Sequence, residues 1–216
     1  FLVEKPFAGA IGSGLPVYDP TGNMVVDIGA GTTDIAVISL GGLVISRSVP
    51  VGGERMDEAL MNYLKRECNI IVGRNTAETV KKDLATAIPL EEPRSILVRG
   101  INQLNTSAGT IHFNSTQAYE ALREPCEAIL TGIRWVLERT PPELCADIMR
   151  NGIHLTGGGS MLWGFDKLLE SHTGIETSVA EDAISCVAFG TGSSLENLSH
   201  MQEGTINLSR RRQLKI

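Results

Sequence analysis

Two acids bracket a glycine turn in the run MVVDIGAGTTDIA, with Asp27 and Asp34 flanking Ile28-Gly29-Ala30-Gly31-Thr32-Thr33. A carboxylate at the end of a buried strand can hold a hydrated magnesium ion through the ion's own waters, because magnesium gives up its shell reluctantly. Gly29 and Gly31 can reach backbone angles closed to other residues and leave room beside the chain, while Thr32 and Thr33 add hydroxyls and amides. Such a turn can wrap an anion. A second corner, Gly157-Gly158-Gly159-Ser160, offers bare backbone against which a flat base can lie. Together the two corners could hold phosphates and a nucleoside from opposite sides. Taken alone, the first run is equally an ordinary glycine-rich hairpin.

Several elements must position these residues. Met24-Val25-Val26 is an apolar run stopped by Asp27 and resumed over 35–40, which predicts strand, tight turn, strand. A third strand over 43–49 follows the Gly41-Gly42 turn. After Gly52-Gly53, a possible strand-to-helix hinge, Met56, Leu60, Tyr63 and Leu64 keep the spacing of one helical face. A helix over 75–87, capped by Asn75 or Thr76, carries Glu78, Lys81 and Lys82 at i,i+3 and i,i+4 spacing. The stretch 89–113 alternates and reads as a small β-rich insert. Leu122, Cys126, Ile129, Ile133 and Val136 mark a long core helix that ends before Pro141-Pro142. In the last third, Ile153 and Leu155 mark a strand into the second corner. A helix over 161–170 launched from that corner would turn its positive dipole end toward the site. A strand over 176–180 and a helix over 183–198 follow. Residues 1–13 have helical character broken at Pro6, and 14–22 form a linker. The pattern predicts α/β architecture with one main sheet and a smaller inserted subdomain.

A net charge of −6 over 216 residues argues against a nucleic-acid partner. The basic tail Arg210, Arg211, Arg212, Lys215 reads as solvated, with contact to an acidic partner or membrane surface as the alternative. Cys68, Cys126, Cys145 and Cys186 have no metal-ligand spacing and fit free thiols in a reducing cytoplasm. His112, His154, His172 and His200 show no ligand spacing either, and Trp135 and Trp163 read as packing residues. No run approaches the ~20 apolar residues of a membrane span. The chain opens at Phe1 without a methionine, so the front of a longer protein is expected to be missing.

D-I-G-A-G-T-T-D at 27–34 is followed by V-G-G-E-R-M-D at 51–57, T-A-E-T-V-K-K at 76–82 and T-P-P-E-L at 140–144. L-T-G-G-G-S-M-L at 155–162 and C-V-A-F-G-T-G at 186–192 complete the series. In this order the motifs resemble the actin superfamily, and within it the bacterial actin-like rod-shape proteins of the MreB and Mbl type. The resemblance covers nearly the whole chain. It implies the second lobe of a two-lobed actin-like (ribonuclease H-like) ATPase, with mixed sheet, flanking helices and a small α+β inserted subdomain. The implied layout is the end of a first-lobe helix at 1–14, a core subdomain at 15–67 and 118–200, the insert at 68–117 and a polar tail at 201–216.

Carried over by residue, the resemblance makes Gly29, Ala30, Gly31, Thr32 and Thr33 the second phosphate loop. It makes Asp27 the magnesium-side acid, and groups Asp27, Asp34, Thr33 and Glu4 as catalytic. Glu78, Lys81 and Lys82 match the helix that reaches the adenosine, and Gly157, Gly158, Gly159, Ser160, Met161 and Leu162 match the adenine and ribose platform. The implied cofactors are ATP and Mg2+. The implied partners are further copies of the chain in protofilaments, the cell-wall elongation machinery with its membrane adaptor, and the inner membrane surface through the other lobe. The implied setting is the cytoplasm, at the inner face of the cell membrane. The alternatives are a chaperone-type or sugar-kinase-type ATPase of the same superfamily, or an interaction module whose nucleotide site has decayed.

Three departures qualify this. Ala30 stands where the family loop has its middle glycine. Lys5 stands before Pro6, where related ATPases carry a glutamate that positions the attacking water, and the acid is Glu4, one residue and about 100 degrees of helix earlier. Three outcomes are open there: Glu4 still reaches, Lys5 contacts phosphate, or hydrolysis is weak. Finally, the first phosphate loop is absent from these residues, and half a clamp is expected to bind ATP poorly and hydrolyse it hardly at all.

Overall fold

The central strand β1 (Asn23–Ile28) is buried at every position, because both of its faces are covered. The computed structural model describes residues 2–196; the expected helix end at Leu198, His200 and the basic tail lie outside the described residues. After β1 come β2 (Thr33–Ser39) and β3 (Gly42–Val49), which pair as an antiparallel meander. Three strands from the middle of the chain, β4 (Ile70–Ile71), β5 (Ser95–Asn102) and β6 (Ala108–Asn114), make a separate antiparallel sheet in the order β4-β5-β6. Near the end, β7 (Ile153–Thr156) and β8 (Thr177–Val179) add in parallel, so the main sheet runs β3-β2-β1-β7-β8. This is a mixed α/β lobe.

The helices are α1 (Lys5–Gly12), α2 (Gly53–Glu67), α3 (Arg74–Leu84), α4 (Ser115–Arg139), α5 (Pro142–Asn151), α6 (Phe165–Thr173) and α7 (Cys186–Glu196). α4 starts earlier than its apolar stripe suggests. Its start is set by Asn114, whose side chain accepts from the Gln117 amide at 2.9 Å while the Gln117 side chain accepts from the Asn114 amide at 3.0 Å. None of the helices among the described residues is long and apolar enough to cross a membrane.

A continuous apolar core joins the two sheets through residues such as Met24, Ile28, Leu60, Phe113 and Ile129. A smaller one, with Phe7, Ala10, Val25 and Ile38, lies under α1. α1 also packs against α7 at glycines. A β-carbon on Gly12 would overlap the Cys186 carbonyl, and one on Gly190 would overlap the Ala8 carbonyl. Trp135 packs against the core, as expected, and the guanidinium groups of Arg47 and Arg139 lie over its ring at 4.7 and 4.2 Å.

Four local expectations need correction. α3 begins at Arg74 with Gly73 in the cap position, so neither Asn75 nor Thr76 caps it, and it ends before Ala85 turns extended. The second glycine corner does not launch a long helix. It leads into a single 3-10 turn, Gly158–Met161, and α6 starts only after Gly164, a left-handed residue (φ +76) packed so tightly on Ile88 that a β-carbon would come within 2.7 Å of it. α5 was not expected. Pro142 in its first turn and Gly152 (φ +84) just past its end are ordinary start and stop signals. α7 starts at Cys186 rather than 183, after a turn over 181–185.

Candidate functional site

Parallel pairing of β1 with β7 puts Asp27 opposite Thr156, so both glycine corners leave the sheet at the same carboxyl end. Antiparallel pairing of β1 with β2 puts Asp27 opposite Asp34, which returns the second acid to that end. The Gly29 amide donates to the Thr32 carbonyl at 2.9 Å and closes the turn. The first turn of α2 then holds the loop in place: the Gly53 and Glu54 amides donate to the Gly29 and Ala30 carbonyls at 2.9 and 2.8 Å. These amides would otherwise be the unpaired donors of a helix start.

Glycine works here through space more than through angle. Neither Gly29 nor Gly31 has a positive φ, contrary to the expectation for this loop. An alanine fits between them for the same reason. Gly29 instead leaves room for the Lys5 ammonium, which would lie 2.9 Å from a β-carbon there, and Gly31 is exposed with open space around it. Gly157 is the residue that needs the left-handed region (φ +81), and it lies against Asp27 and the Ile28 carbonyl.

Lys5 dominates the acid pair. Its Nζ lies 2.9 Å from Asp27 Oδ2, an ionic contact at an angle outside hydrogen-bond geometry, and it donates to Asp34 Oδ2 at 3.1 Å. Asp34 also accepts from the Thr32 hydroxyl at 3.1 Å and from the Ser48 hydroxyl at 2.6 Å. Burial alone would raise the Asp34 pKa, but Ser48, Lys5 and Thr32 outweigh it and hold the carboxyl below the usual range. Burial alone would lower that of Lys5, and the two carboxylates outweigh it and leave the ammonium raised. Glu4 is exposed at the cap of α1 and makes no capping hydrogen bond, so the side chain that reaches the acids is Lys5.

Beside this pair opens a cleft of about 930 Å³. Gly29, Ala30 and Gly53 form its floor; Glu78, Lys81 and Lys82 of α3 form one wall; Gly158, Gly159, Met161 and Leu162 form the other. The remaining expected residues are not part of its lining. Thr33 is wholly buried and donates to the Val51 carbonyl at 2.8 Å, and Ser160 is buried and donates to the Gly157 carbonyl at 2.6 Å. Gly31, Thr32, Asp27, Asp34, Gly157 and Glu4 do not line the cleft.

Lys81 is committed inward, 2.8 Å from the buried Asp57 carboxylate and donating to the Gly53 carbonyl at 2.9 Å. Glu78 and Lys82 form the exposed i,i+4 pair that their spacing suggested, at 2.7 Å. Asp57, Arg74, Arg94, Trp163 and Ile184 also line the cleft and were not among the expected site residues. The V-G-G-E-R-M-D run held the signal for Gly53 and Asp57. Trp163, close in sequence to the second corner, is 46% exposed and could offer its ring to a flat ligand. A separate depression of about 530 Å³ along α4, between Arg123, Glu127 and His172, contains neither glycine corner.

A magnesium ion on Asp27 does not fit this arrangement. The ammonium of Lys5 already lies against both carboxylates, where the hydrated ion would have to sit.

The sequence model of the MreB/Mbl protein family matches residues 1–203. The chain is 49% identical over 196 residues to the cell shape-determining protein MreB of Escherichia coli (strain K12), covering 91% of this chain and 56% of that protein. It is 45% identical over 201 residues to the cell shape-determining protein Mbl of Bacillus subtilis (strain 168), covering 93% and 60%. The chain thus spans little more than half the length of these relatives. Among solved structures, MreB5 of Spiroplasma citri bound to ADP superposes with a TM-score of 0.88 at 34% identity, covering 91% of this chain and 60% of that one. The MamK double helical filament superposes at 0.69 with 25% identity, covering 90% and 59%. On the strength of the family match and the two curated relatives, the chain belongs to the MreB/Mbl family of actin-like proteins.

Proposed function

We propose that this chain is the nucleotide-binding second lobe of an ATP-binding cytoskeletal protein whose filaments lie at the inner face of the cell membrane, direct cell-wall synthesis and maintain rod shape. The observation that carries the reading is the cleft between the two glycine corners, floored by Gly29, Ala30 and Gly53 and walled by Gly158 and Gly159. Phosphates fit the first corner and a base fits the second, beside Trp163. The MreB5 structures bound to ADP and to AMPPNP, and the filament formed by MamK, support nucleotide binding and self-assembly respectively. The relatives' names, cell shape-determining proteins, support the shape role; the wall-elongation machinery and its membrane adaptor are the partners this reading adds.

Binding of a fluorescent ATP analogue tests the site. A β-carbon on Gly158 would meet only the exposed Ile184 side chain, at 3.9 Å, and Gly158 has no positive φ, so Gly158→Leu fills the cleft at little cost to the fold. Wild type is expected to bind the analogue and Gly158→Leu to lose it; equal affinity in the two would favour the decayed-site alternative, which the Lys5 contact with Asp27 recommends as the second reading. Hydrolysis needs charge stabilisation from several sides, so this lobe alone is expected to turn ATP over far more slowly than a two-lobed relative. Brisk turnover by the 216-residue chain would overturn that expectation.

A further inference from the structure

We infer that the Lys5 ammonium is the resident cation of the Asp27 and Asp34 carboxylates, taking the place of a divalent metal ion, and that nucleotide binding at the neighbouring cleft is therefore independent of magnesium.

The two acids need a positive charge. Asp27 is almost wholly buried, its side chain 1% exposed, and β-sheet register places Asp34 directly opposite. Two carboxylates so placed repel each other unless a cation lies between them. Lys5 Nζ lies there, 2.9 Å from one and 3.1 Å from the other. A magnesium ion held through its waters would put its centre about 4 Å from the same oxygens, since its ligands lie at ~2.1 Å and its waters add a hydrogen bond beyond. That volume overlaps the ammonium. Two cations cannot share it.

The surroundings are built around the lysine. Gly29 has no side chain where Nζ passes, Thr32 and Ser48 take further lone pairs of Asp34, and Pro6 follows Lys5 in the first turn of α1. α1 itself is held against α7 where Gly12 meets Cys186 and Gly190 meets Ala8, so the ammonium cannot be withdrawn by sliding the helix. Its side chain remains 40% exposed. An ammonium carries three donors and Asp34 takes one in a hydrogen bond, so donor capacity remains for an anionic ligand beside the ionic contact with Asp27. A fixed organic cation beside Gly29, at the edge of the cleft, would supply part of the charge that the metal would bring.

The cation half of this inference stands on the geometry alone, and the nucleotide half rests on the function proposed above. Manganese as a paramagnetic probe separates them. Added to the 216-residue chain, it is expected to leave the amide resonances of Asp27, Gly29 and Asp34 sharp in wild type and in Lys5→Arg, and to broaden them in Lys5→Gln. Adding Asp27→Asn to Lys5→Gln should remove the broadening. Equal broadening in wild type and Lys5→Gln, or none in either, overturns the cation half. In the second arm, affinity for the fluorescent ATP analogue is compared in magnesium and in EDTA. Wild type should change by less than about twofold and Lys5→Gln by about tenfold or more, the range of an ordinary coupling between two ligands. A tenfold loss in EDTA for wild type overturns magnesium independence. Absence of analogue binding in every variant overturns the nucleotide half and the proposed function, while the manganese arm still decides what occupies the acid pair.

Discussion

Gly190 of α7 meets Ala8 of α1 with no room for a side chain between them, since a β-carbon on Gly190 would overlap the Ala8 carbonyl. The contact fixes α1, and with it Lys5 at the acid pair. Gly190→Ala should therefore cost about 3 kcal/mol, at the upper end of overpacking penalties, because backbone rather than a flexible side chain is in the way. Gly192→Ala, in the same helix with open space around it, should be neutral or stabilise by about 0.5–1 kcal/mol through helix propensity. Denaturant midpoints of the two variants check this; similar midpoints would mean that the crossing is looser than described.

The acid pair gives the fold a pH dependence. The Asp34 carboxyl is held below its ordinary value of about 3.9, so its contribution is complete above that pH and is lost as pH falls through the lower, folded value. Lys5 is raised, so its contribution is complete below about pH 10.4 and is lost as pH rises through the folded value. Between those limits the pair adds no slope. Urea midpoints measured from pH 6 downward should fall below about pH 4, and the fall should be shallower in Asp34→Asn. An identical acid limb in the variant would assign the dependence to other carboxylates.

Lys81 and Asp57 are a second ion pair, both largely buried, in the wall and floor of the cleft. Lys81→Met leaves Asp57 charged and buried with no cation, at a cost of about 3 kcal/mol. The double variant Lys81→Met with Asp57→Leu removes the stranded charge and should recover most of that loss. A double-mutant cycle by denaturant unfolding measures the coupling, and strictly additive effects would argue that the pair is not formed in solution.

Thiol reactivity should sort by burial. Burial, with Glu127 adding to it, pushes the Cys126 thiol up to about 12. Burial also raises the thiols of Cys68 and Cys145, which are only partly covered. Labelling with iodoacetamide at pH 8, read by mass spectrometry, should modify Cys68 and Cys145 slowly and Cys126 only after unfolding. Rapid native labelling of Cys126 would show that the centre of α4 opens.

Local pattern alone determined a good deal of this protein. The stop of an apolar run at Asp27, the glycine turn and the return at Asp34 specify a hairpin, because strand period and turn chemistry are properties of neighbouring residues. The 3.6-residue stripes through Met56 and Leu60, and through Cys126 and Ile133, specify α2 and the core of α4 in the same way. Tertiary structure decided the rest. Which glycine needs a positive φ depends on what packs against it, so Gly157 rather than Gly29 or Gly31 carries one. Gly164 was the signal in sequence for the break before α6, and its packing against Ile88, seventy-six positions earlier, was visible only in the tertiary structure. The contacts of Lys5 with Asp27 and of Lys81 with Asp57 join residues more than twenty positions apart, and a charge leaves no mark in sequence of the partner it will find. The chain carried both acids and the lysine in plain view. Only the register of β1 with β2, and the seat of α1 on α7, put one ammonium between two carboxylates where a metal ion was expected.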